Sequence, residues 1–365
     1  MSLQVGLVGL PNAGKSTLFN ALTRAHAPVA PYPFTTIDPH VGVVAVPDPR
    51  LDALARLLRP EKVTPTTLQV VDIAGLVKDA HKGEGLGNQF LAHIRNVDAI
   101  AIVARCFYDD DVPHVSGTLD PREDIAILEL ELALADVQTV EKRLATVRSA
   151  AKVGKKEFAA ELALLERVRK HLAEGHPVRT LPLGEEERAL LKPLQLLTAK
   201  PLLYIANVGE SDLPTGGELA ARVASIAQRA HAESLCVCAQ CEMELAEWSE
   251  ENAAQYRREM GVESSLARVI RAAYHLLDLI TYFTATGGKE LRAWTLKRGR
   301  TALDAAGQVH TDMARGFIRA EVIPATTLLQ IGSLTTAREK GIMRIEGRDY
   351  VVQDGDVMHF RFNVG

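Results

Sequence analysis

Short apolar runs alternate with helical patterns over much of the chain. The apolar runs, each bounded by turn-forming residues, lie at residues 3–8, 41–46, 67–72, 98–103, 201–208 and 234–237. Runs of this length between turns predict buried β-strands, and the intervening segments have helical periodicity. The alternation predicts an α/β domain with a doubly wound sheet, whose ligand would lie at the carboxyl ends of the strands.

A helical segment interrupts this alternation between residues 121 and 197. Two stripes of apolar residues recur there at heptad-like spacing: Val137, Val140, Leu144 and Val147, then Leu162, Leu165, Val168 and Leu172. The turn-like pair Val153 and Gly154 separates them, which predicts an antiparallel helical hairpin.

Six basic residues with no acidic residue among them lie near the turn of this hairpin: Lys142, Arg143, Arg148, Lys152, Lys155 and Lys156. A basic run of this kind is usually a solvated face, but it is also what RNA phosphates would contact. The sequence leaves both interpretations open.

The last segment changes pattern again. Residues 279–284 and 290–296 resemble paired strands, residues 305–317 a short helix, and residues 350–362 a terminal hairpin. These elements predict a small α+β module, which the pattern alone does not identify.

Composition sets the class of protein only broadly. The chain has 365 residues, of which 47% are hydrophobic and 24% charged, with a formal net charge of −4. These values are typical of a soluble globular protein and give no global sign of nucleic-acid binding. No signal peptide is recognisable, and no apolar run reaches the roughly 18 residues of a membrane span. We therefore expect a cytoplasmic protein that does not contact a membrane.

Three of the four cysteines form a C-x-C-x-x-C cluster at Cys236, Cys238 and Cys241. A structural zinc site needs four ligands, and Cys106 is the one other thiol in the chain. Small residues of a buried strand and its following loop are therefore favoured over a metal site.

The segment after the first predicted strand carries the pattern of a phosphate-binding loop. Its letters from Gly9 to Ser16, GLPNAGKS, match G-x-x-x-x-G-K-S, and a helical pattern follows directly. In this context backbone N–H groups surround a phosphate, Lys15 reaches the β- and γ-phosphates, and the Ser16 hydroxyl binds Mg²⁺. The alternative is a glycine turn without a ligand, which the flanking strand and helix disfavour. The loop residues expected to bind nucleotide are Asn12, Ala13, Gly14, Lys15, Ser16 and Thr17, and Lys15 is expected to be catalytic as well.

Two further segments predict the remaining contacts of Mg²⁺ and the γ-phosphate. Thr36, preferred over Thr35, lies where its hydroxyl would bind Mg²⁺. Asp72 ends a strand and begins a D-x-x-G pattern, so its carboxylate would hold Mg²⁺ through water while the Gly75 N–H senses the γ-phosphate. The alternatives are a threonine that caps a turn and a carboxylate that caps a strand end.

Two strand ends are candidates for contacting the nucleotide base. One strand runs into the N-x-x-E pattern of Asn207, Val208 and Glu210, and another runs into Cys238 and Ala239. Base contacts belong at these positions because the ligand of a doubly wound sheet sits at the carboxyl ends of its strands.

Together these motifs resemble those of the Obg-like ATPase (YchF) family, within the translation-factor-related GTPases. The resemblance covers essentially the whole chain and rests on GLPNAGKST, PFTT, DIAGLVKDAHKGEGLGNQFL, NVGE and HTDMARGFIRAEVI. It implies a P-loop NTPase G domain over residues 1–120 and 198–279, an α-helical hairpin (coiled-coil) insertion over 121–197, and a β-grasp TGS domain over 280–364. It also implies the ribosome as partner, through its large subunit or ribosomal RNA, and no reading of DNA sequence.

The base-binding pattern departs from that of an ordinary GTPase. The guanine-reading sequence N-K-x-D uses an aspartate to accept from two donors of the base, whereas here Val208 replaces the lysine and Glu210 is one methylene longer. Adenine lacks both donors, so the absence of a well-placed aspartate does not weaken its binding. Guanine loses a contact worth roughly 1–3 kcal/mol of binding free energy. We therefore expect ATP to be preferred over GTP, as the resemblance also implies.

The catalytic segment departs as well, because Leu76 occupies the position where most GTPases have a water-orienting glutamine. An isobutyl group cannot polarise water, so turnover is expected to be slow and another group must position the nucleophile. His114 and His81 are the candidates, with His114 preferred and a solvated loop histidine as the alternative. Asn12 resembles the asparagine that helps related G proteins bind K⁺, which makes K⁺ a second possible cofactor beside Mg²⁺.

Three functions remain open from the sequence. The leading hypothesis is a slow Mg²⁺-dependent ATPase that switches its loops on or near the ribosome. The alternatives are an ATP-regulated module that docks on RNA or protein with little hydrolysis, and a conventional GTPase.

Overall fold

The computed structural model describes residues 3–25, 40–73, 86–109, 118–152, 158–259, 261 and 264–363. The strands are β1 (Gln4–Val8), β2 (Val41–Ala45), β3 (Lys62–Thr64), β4 (Thr67–Asp72), β5 (Ala99–Cys106), β6 (Leu202–Val208), β7 (Glu233–Val237), β8 (Leu279–Thr286), β9 (Glu290–Lys297), β10 (Phe317–Pro324), β11 (Arg344–Glu346) and β12 (Asp356–Phe362). The helices are α1 (Lys15–Ala25), α2 (Pro49–Leu58), α3 (Leu86–Asn96), α4 (Pro121–Lys152), α5 (Ala159–Ala173), α6 (Glu185–Leu191), α7 (Gly217–Arg229), α8 (Ala239–Leu245), α9 (Glu250–Glu259), α10 (Ser265–Leu276), α11 (Ala302–Val309), α12 (Thr311–Arg315), α13 (Ala325–Ile331) and α14 (Leu334–Glu339).

The described residues divide into two compact units. The first contains the described parts of residues 1–25, 36–42 and 69–269, and the second contains residues 43–68 and the described residues from 270 onward. Residues 43–68, which carry α2 and β3, are thus grouped with the C-terminal part of the chain, which the sequence did not indicate.

One six-stranded sheet, whose strands β1, β5, β6 and β7 belong to the first unit, has the strand order β2-β4-β1-β5-β6-β7. Neighbours from β4 to β7 pair in parallel, and β5 and β6 are buried along their whole length, as in sheets covered on both faces. The chain passes from β1 to β4 on one side and later to β5 on the other. The topological switch point, where ligands of such sheets bind, therefore lies at the end of β1. The predicted α/β fold class with a doubly wound sheet is confirmed.

The helical insertion forms as the two stripes predicted. Helices α4 and α5 bury a shared apolar cluster that includes Val140, Leu144, Val147, Leu165, Val168 and Leu172. Two residues of the basic run have acidic partners, because Arg143 donates to Glu161 (2.7 Å) and Arg148 donates to Glu166 (3.0 Å). The acidic partners lie on the facing helix, so the linear sequence does not place them beside the run.

A buried carboxylate fastens the insertion to the sheet. Asp136 on α4 has no exposed surface, and it accepts hydrogen bonds from the Leu197 N–H (2.8 Å), the Thr198 N–H (2.7 Å) and the Thr198 hydroxyl (2.7 Å). These donors lie just before β6. A buried charge is tolerated when its hydrogen bonds are satisfied, so Asp136 fixes where the long helix meets the strand that leads to the site.

The sheet of the second unit has the order β11-β10-β12-β8-β9-β3. Strand β3 pairs in parallel with β9, with Lys62 opposite Glu290, and Leu51 and Leu54 of α2 pack in the cluster of Phe283 and Leu291. An amphipathic helix shows in its sequence which face it buries, but not which sheet will cover that face.

Two details of the C-terminal prediction are wrong. The expected terminal hairpin is a single strand, β12, which pairs antiparallel with β10 and parallel with β8. The expected short helix over residues 305–317 is two helices, α11 and α12, because His310 has extended backbone angles and its Nδ1 accepts from the Asp312 N–H (3.2 Å). Among the described residues, no helix is long and apolar enough to cross a membrane.

Replacing Asp136 by alanine should lower the free energy of unfolding by about 3 kcal/mol, because three buried donors lose their acceptor. Urea unfolding followed by circular dichroism measures the change. The matched control is Glu141→Ala, which removes an exposed carboxylate from the same helix and should alter stability by less than about 0.5 kcal/mol. Equal stability of the two variants would contradict the role given to Asp136.

Candidate nucleotide-binding site

The carboxyl ends of neighbouring parallel strands enclose a cavity of about 560 Å³. Residues from the ends of β1, β5, β6 and β7 line it: Asn12, Gly14, Lys15, Ser16, Thr17, Phe107, Tyr108, Asp109, Asn207, Val208, Gly209, Glu210, Cys238, Ala239, Gln240, Cys241 and Glu244. The structure thus brings together residues that the sequence predicted separately for phosphate and base.

The phosphate-binding loop turns sharply between β1 and α1. Asn12 and Gly14 both have positive φ angles, +65° and +83°, and the Ala13 N–H donates to the Leu10 carbonyl (3.3 Å). A Cβ atom at Gly14 would collide with the amide nitrogen of Asn207. Glycine is therefore required at position 14 both for its backbone angle and for the approach of a neighbouring side chain.

Lys15 begins α1 and is held inside the loop. Its side chain is largely buried, with 7% of the residue exposed, and its Nζ donates to the Leu10 carbonyl (3.3 Å). Burial lowers the pKa of Lys15, while the charge of Asp72 acts in the opposite direction. A desolvated ammonium group beside a helix N-terminus is suited to an anion such as a phosphate.

Ser16 and Asp72 meet beside this lysine. The Ser16 hydroxyl donates to Asp72 Oδ2 (2.7 Å), while Asp72 Oδ1 is buried with no hydrogen-bond partner among the described residues. Hydroxyl and carboxylate oxygens are ligands of Mg²⁺, which binds through one or two such groups, water and substrate phosphates. The two residues fit a hydrated Mg²⁺ ion, which would neutralise phosphate charge when bound.

Four of the predicted site residues fall outside the described residues: Thr36, Gly75, His81 and His114. Leu76 lies outside them too. Their roles stay predictions.

Asn207 connects the two halves of the cavity. Its Nδ2 donates to the Ala13 carbonyl (3.0 Å), and its Oδ1 accepts from the Ala239 N–H (3.0 Å). The residue is buried and projects from the end of β6. One side chain therefore holds the phosphate-binding loop and the loop after β7 at a fixed separation.

The other predicted base contacts also line the cavity. The side chain of Val208 is buried, and Glu210 is exposed and accepts a hydrogen bond from the Tyr256 hydroxyl (2.7 Å). Cys238 caps α8 by accepting from the Cys241 N–H (3.5 Å), and its thiol donates to Cys241 Sγ (2.8 Å). Among the described residues, no group of three or more His, Cys, Asp or Glu side chains could hold a metal ion.

The sequence analysis missed the loop after β5. Phe107, Tyr108 and Asp109 line the cavity, and the buried Arg105 donates to the Phe107 carbonyl (3.2 Å) with its guanidinium 4.6 Å from the Phe107 ring centre. The rule that ligands bind at strand carboxyl ends could have identified this loop, because it follows a strand that the sequence did predict.

A parallel sheet with a phosphate-binding loop at its switch point, and a cavity that extends from this loop to the ends of β6 and β7, defines a P-loop nucleotide-binding protein with a G domain. Comparisons with known proteins point to the same class of protein. Residues 4–147 match a family model described as 50S ribosome-binding GTPase, and residues 279–363 match the C-terminal model of the YchF GTPases, described as a protein of unknown function.

The chain is 51% identical to a protein named ribosome-binding ATPase YchF from Bacillus subtilis over 367 residues, which cover 100% of both chains. It is also 51% identical to the protein of that name from Haemophilus influenzae, again with 100% of both chains covered. The solved structure of the Schizosaccharomyces pombe YchF GTPase superposes with a TM-score of 0.90 at 36% identity, covering 99% of this chain and 98% of that one. The chain belongs to the YchF family.

Replacing Asn207 by alanine should weaken nucleotide binding about tenfold, because a buried amide loses a donor and an acceptor that connect both walls of the cavity. Isothermal titration calorimetry measures the dissociation constant. Asn252→Ala, at an exposed position of α9, is the matched control and should leave the constant unchanged. An unchanged constant in Asn207→Ala would show that the two loops keep their separation without it.

Proposed function

We propose that the chain is a slow, Mg²⁺-dependent ATPase that prefers ATP to GTP and works as a nucleotide switch on the ribosome. The observation that carries the proposal is one cavity lined by Lys15 and Ser16 on one side and by Asn207, Val208 and Glu210 on the other. Asp72 accepts a hydrogen bond from the Ser16 hydroxyl.

The phosphate side of the cavity supports hydrolysis of a triphosphate. The N-terminus of α1 and the Lys15 ammonium are both positive, and both act on charge that develops on the transferring phosphoryl group. Ser16 and Asp72, with Thr36, would hold Mg²⁺ there, and the Gly75 N–H would contact the γ-phosphate.

The base side of the cavity supports adenine. Val208 supplies no lysine stem, and Glu210 replaces the shorter aspartate that accepts from the ring N–H and the amino group of guanine. Without that acceptor, the ring N–H and the amino group of guanine have no partner, whereas adenine has no donor at either of these two positions.

Slow turnover follows from Leu76, which cannot orient a water molecule. We propose that His114, with His81 as the second candidate, positions the nucleophile. A complex with a non-hydrolysable ATP analogue would measure the distance of each imidazole from the γ-phosphate.

The ribosome is proposed as partner because relatives 51% identical over the full length are named ribosome-binding ATPases and the matching G-domain model is described as 50S ribosome-binding. The large subunit or its RNA is the expected contact. The rival function is a module that docks on RNA or protein and hydrolyses little ATP, so it differs from the proposed ATPase in turnover.

Titration calorimetry with ATP, GTP, ADP and GDP should give tighter binding of the adenine nucleotides by about tenfold or more, since one carboxylate contact to guanine is missing. GTP binding at least as tight as ATP binding would make the chain a conventional GTPase.

A measurement of ATP turnover distinguishes the proposed ATPase from the docking module. Lys15→Ala should abolish ATP hydrolysis, because the transferring phosphoryl group loses its positive partner. Lys200→Ala is the matched control. Lys200 is a partly buried lysine that also donates to backbone carbonyls, those of Arg95 (3.1 Å) and Val97 (2.5 Å), but it does not line the cavity. ATP binding without hydrolysis above background in the unmodified protein would favour the docking module.

Potassium should accelerate hydrolysis if Asn12 helps to hold a K⁺ ion near the β–γ bridge, where its charge replaces an arginine finger. Rates measured in KCl and in NaCl at equal ionic strength test this, with Asn12→Ala expected to remove the difference. Equal rates of the unmodified protein in both salts would exclude K⁺ as a cofactor.

A further inference from the structure

We propose that Tyr256 is a positioning residue for base selection: it holds the Glu210 carboxylate by a hydrogen bond and so withholds that group from the base. The inference deepens the proposed function and rests on it, since the base site is the one assigned there to adenine.

Glu210 and Tyr256 line different cavities. Glu210 lines the nucleotide cavity, whereas Tyr256, on α9, borders a neighbouring cavity of about 250 Å³ and is not among the residues that line the first. The Tyr256 hydroxyl donates to Glu210 Oε1 at 2.7 Å. Glu210 is thus the lining residue through which the Tyr256 hydroxyl is connected to the nucleotide cavity.

The Tyr256 ring also packs against a neighbouring aromatic ring. The Trp248 ring meets the Tyr256 ring edge-on, with ring centres 5.7 Å apart and planes at 74°. The hydrogen bond to Glu210 raises the pKa of Tyr256 to about 12. The hydroxyl thus remains a neutral donor at every physiological pH.

Stability is a weak explanation for this hydrogen bond. Glu210 is exposed and Tyr256 is only partly buried, and hydrogen bonds at the surface contribute little because water replaces either partner. The main consequence of the bond is where the carboxylate points.

The position of the Glu210 carboxylate affects the binding of guanine and of adenine in opposite directions. Guanine offers a ring N–H and an amino group at the edge that an N-K-x-D aspartate reads, and a free carboxylate would accept from at least one of them. Adenine presents a ring nitrogen lone pair at that edge, which a carboxylate would repel. Holding Glu210 away from the base therefore disfavours GTP and favours ATP at once.

Tyr256→Phe keeps the ring and its contact with Trp248 but removes the donor. We expect the ratio of the GTP to the ATP dissociation constant to fall about tenfold, because a charged acceptor becomes available to guanine. Calorimetric titration of the full-length protein with ATP and GTP measures the ratio. If Tyr256 only stabilised the local structure, its loss would weaken the binding of ATP and GTP equally and leave the ratio of their dissociation constants unchanged.

Two further variants make the test specific. In a Glu210→Ala background, Tyr256→Phe should have no effect on the ratio, because the tyrosine then has no carboxylate to hold. The matched control is Tyr350→Phe, which removes a comparable hydrogen bond to a carboxylate, from the Tyr350 hydroxyl to Asp356 (2.8 Å), in the other compact unit. It should leave the ratio unchanged.

An unchanged ratio in Tyr256→Phe would overturn the inference, and so would a shift that persists in the Glu210→Ala background. These outcomes are separate from failure of the proposed function. If the unmodified protein does not prefer ATP but Tyr256→Phe still shifts the ratio toward GTP through Glu210, the base assignment fails and the role of Tyr256 holds.

Discussion

The arrangement of the candidate site depends on one buried amide. Asn207 donates to the Ala13 carbonyl and accepts from the Ala239 N–H, so the phosphate-binding loop and the base-side loop are held by the same group. A buried amide is costly unless both its donor and its acceptor are used. Any displacement of one loop would break a buried hydrogen bond, which gives the cavity one preferred geometry.

Around this amide, the fold holds polar groups whose remaining hydrogen-bonding capacity points to a ligand. The Lys15 ammonium is buried with a backbone carbonyl as acceptor, and one oxygen of Asp72 is buried without a partner among the described residues. Such groups destabilise a fold unless it is stabilised elsewhere, and they cluster at functional sites. Here the parallel sheet provides the compensation, since β5 and β6 are buried along their whole length.

The base side of the cavity depends on a second layer of residues that do not line it. The Tyr256 hydroxyl donates to the Glu210 carboxylate, and the Arg105 guanidinium donates to the Phe107 carbonyl. In both cases a residue that does not line the cavity makes a hydrogen bond to one that does. A comparison of lining residues alone would miss these supporting contacts.

The sequence by itself determined the elements whose signal is local. The GLPNAGKS loop, the heptad stripes of the insertion and the strand ends at Asp72 and Asn207 all lie within a few residues of their structural context, and spacing alone identifies them. Thr36, Gly75, His81 and His114 also came from local motifs and stay predictions. Only the tertiary structure decided that β3 joins β9, that Glu161 and Glu166 face the basic run, and that Tyr256 reaches Glu210. These contacts join residues far apart in the chain, and which partners meet is set by how whole elements pack, which no local pattern encodes.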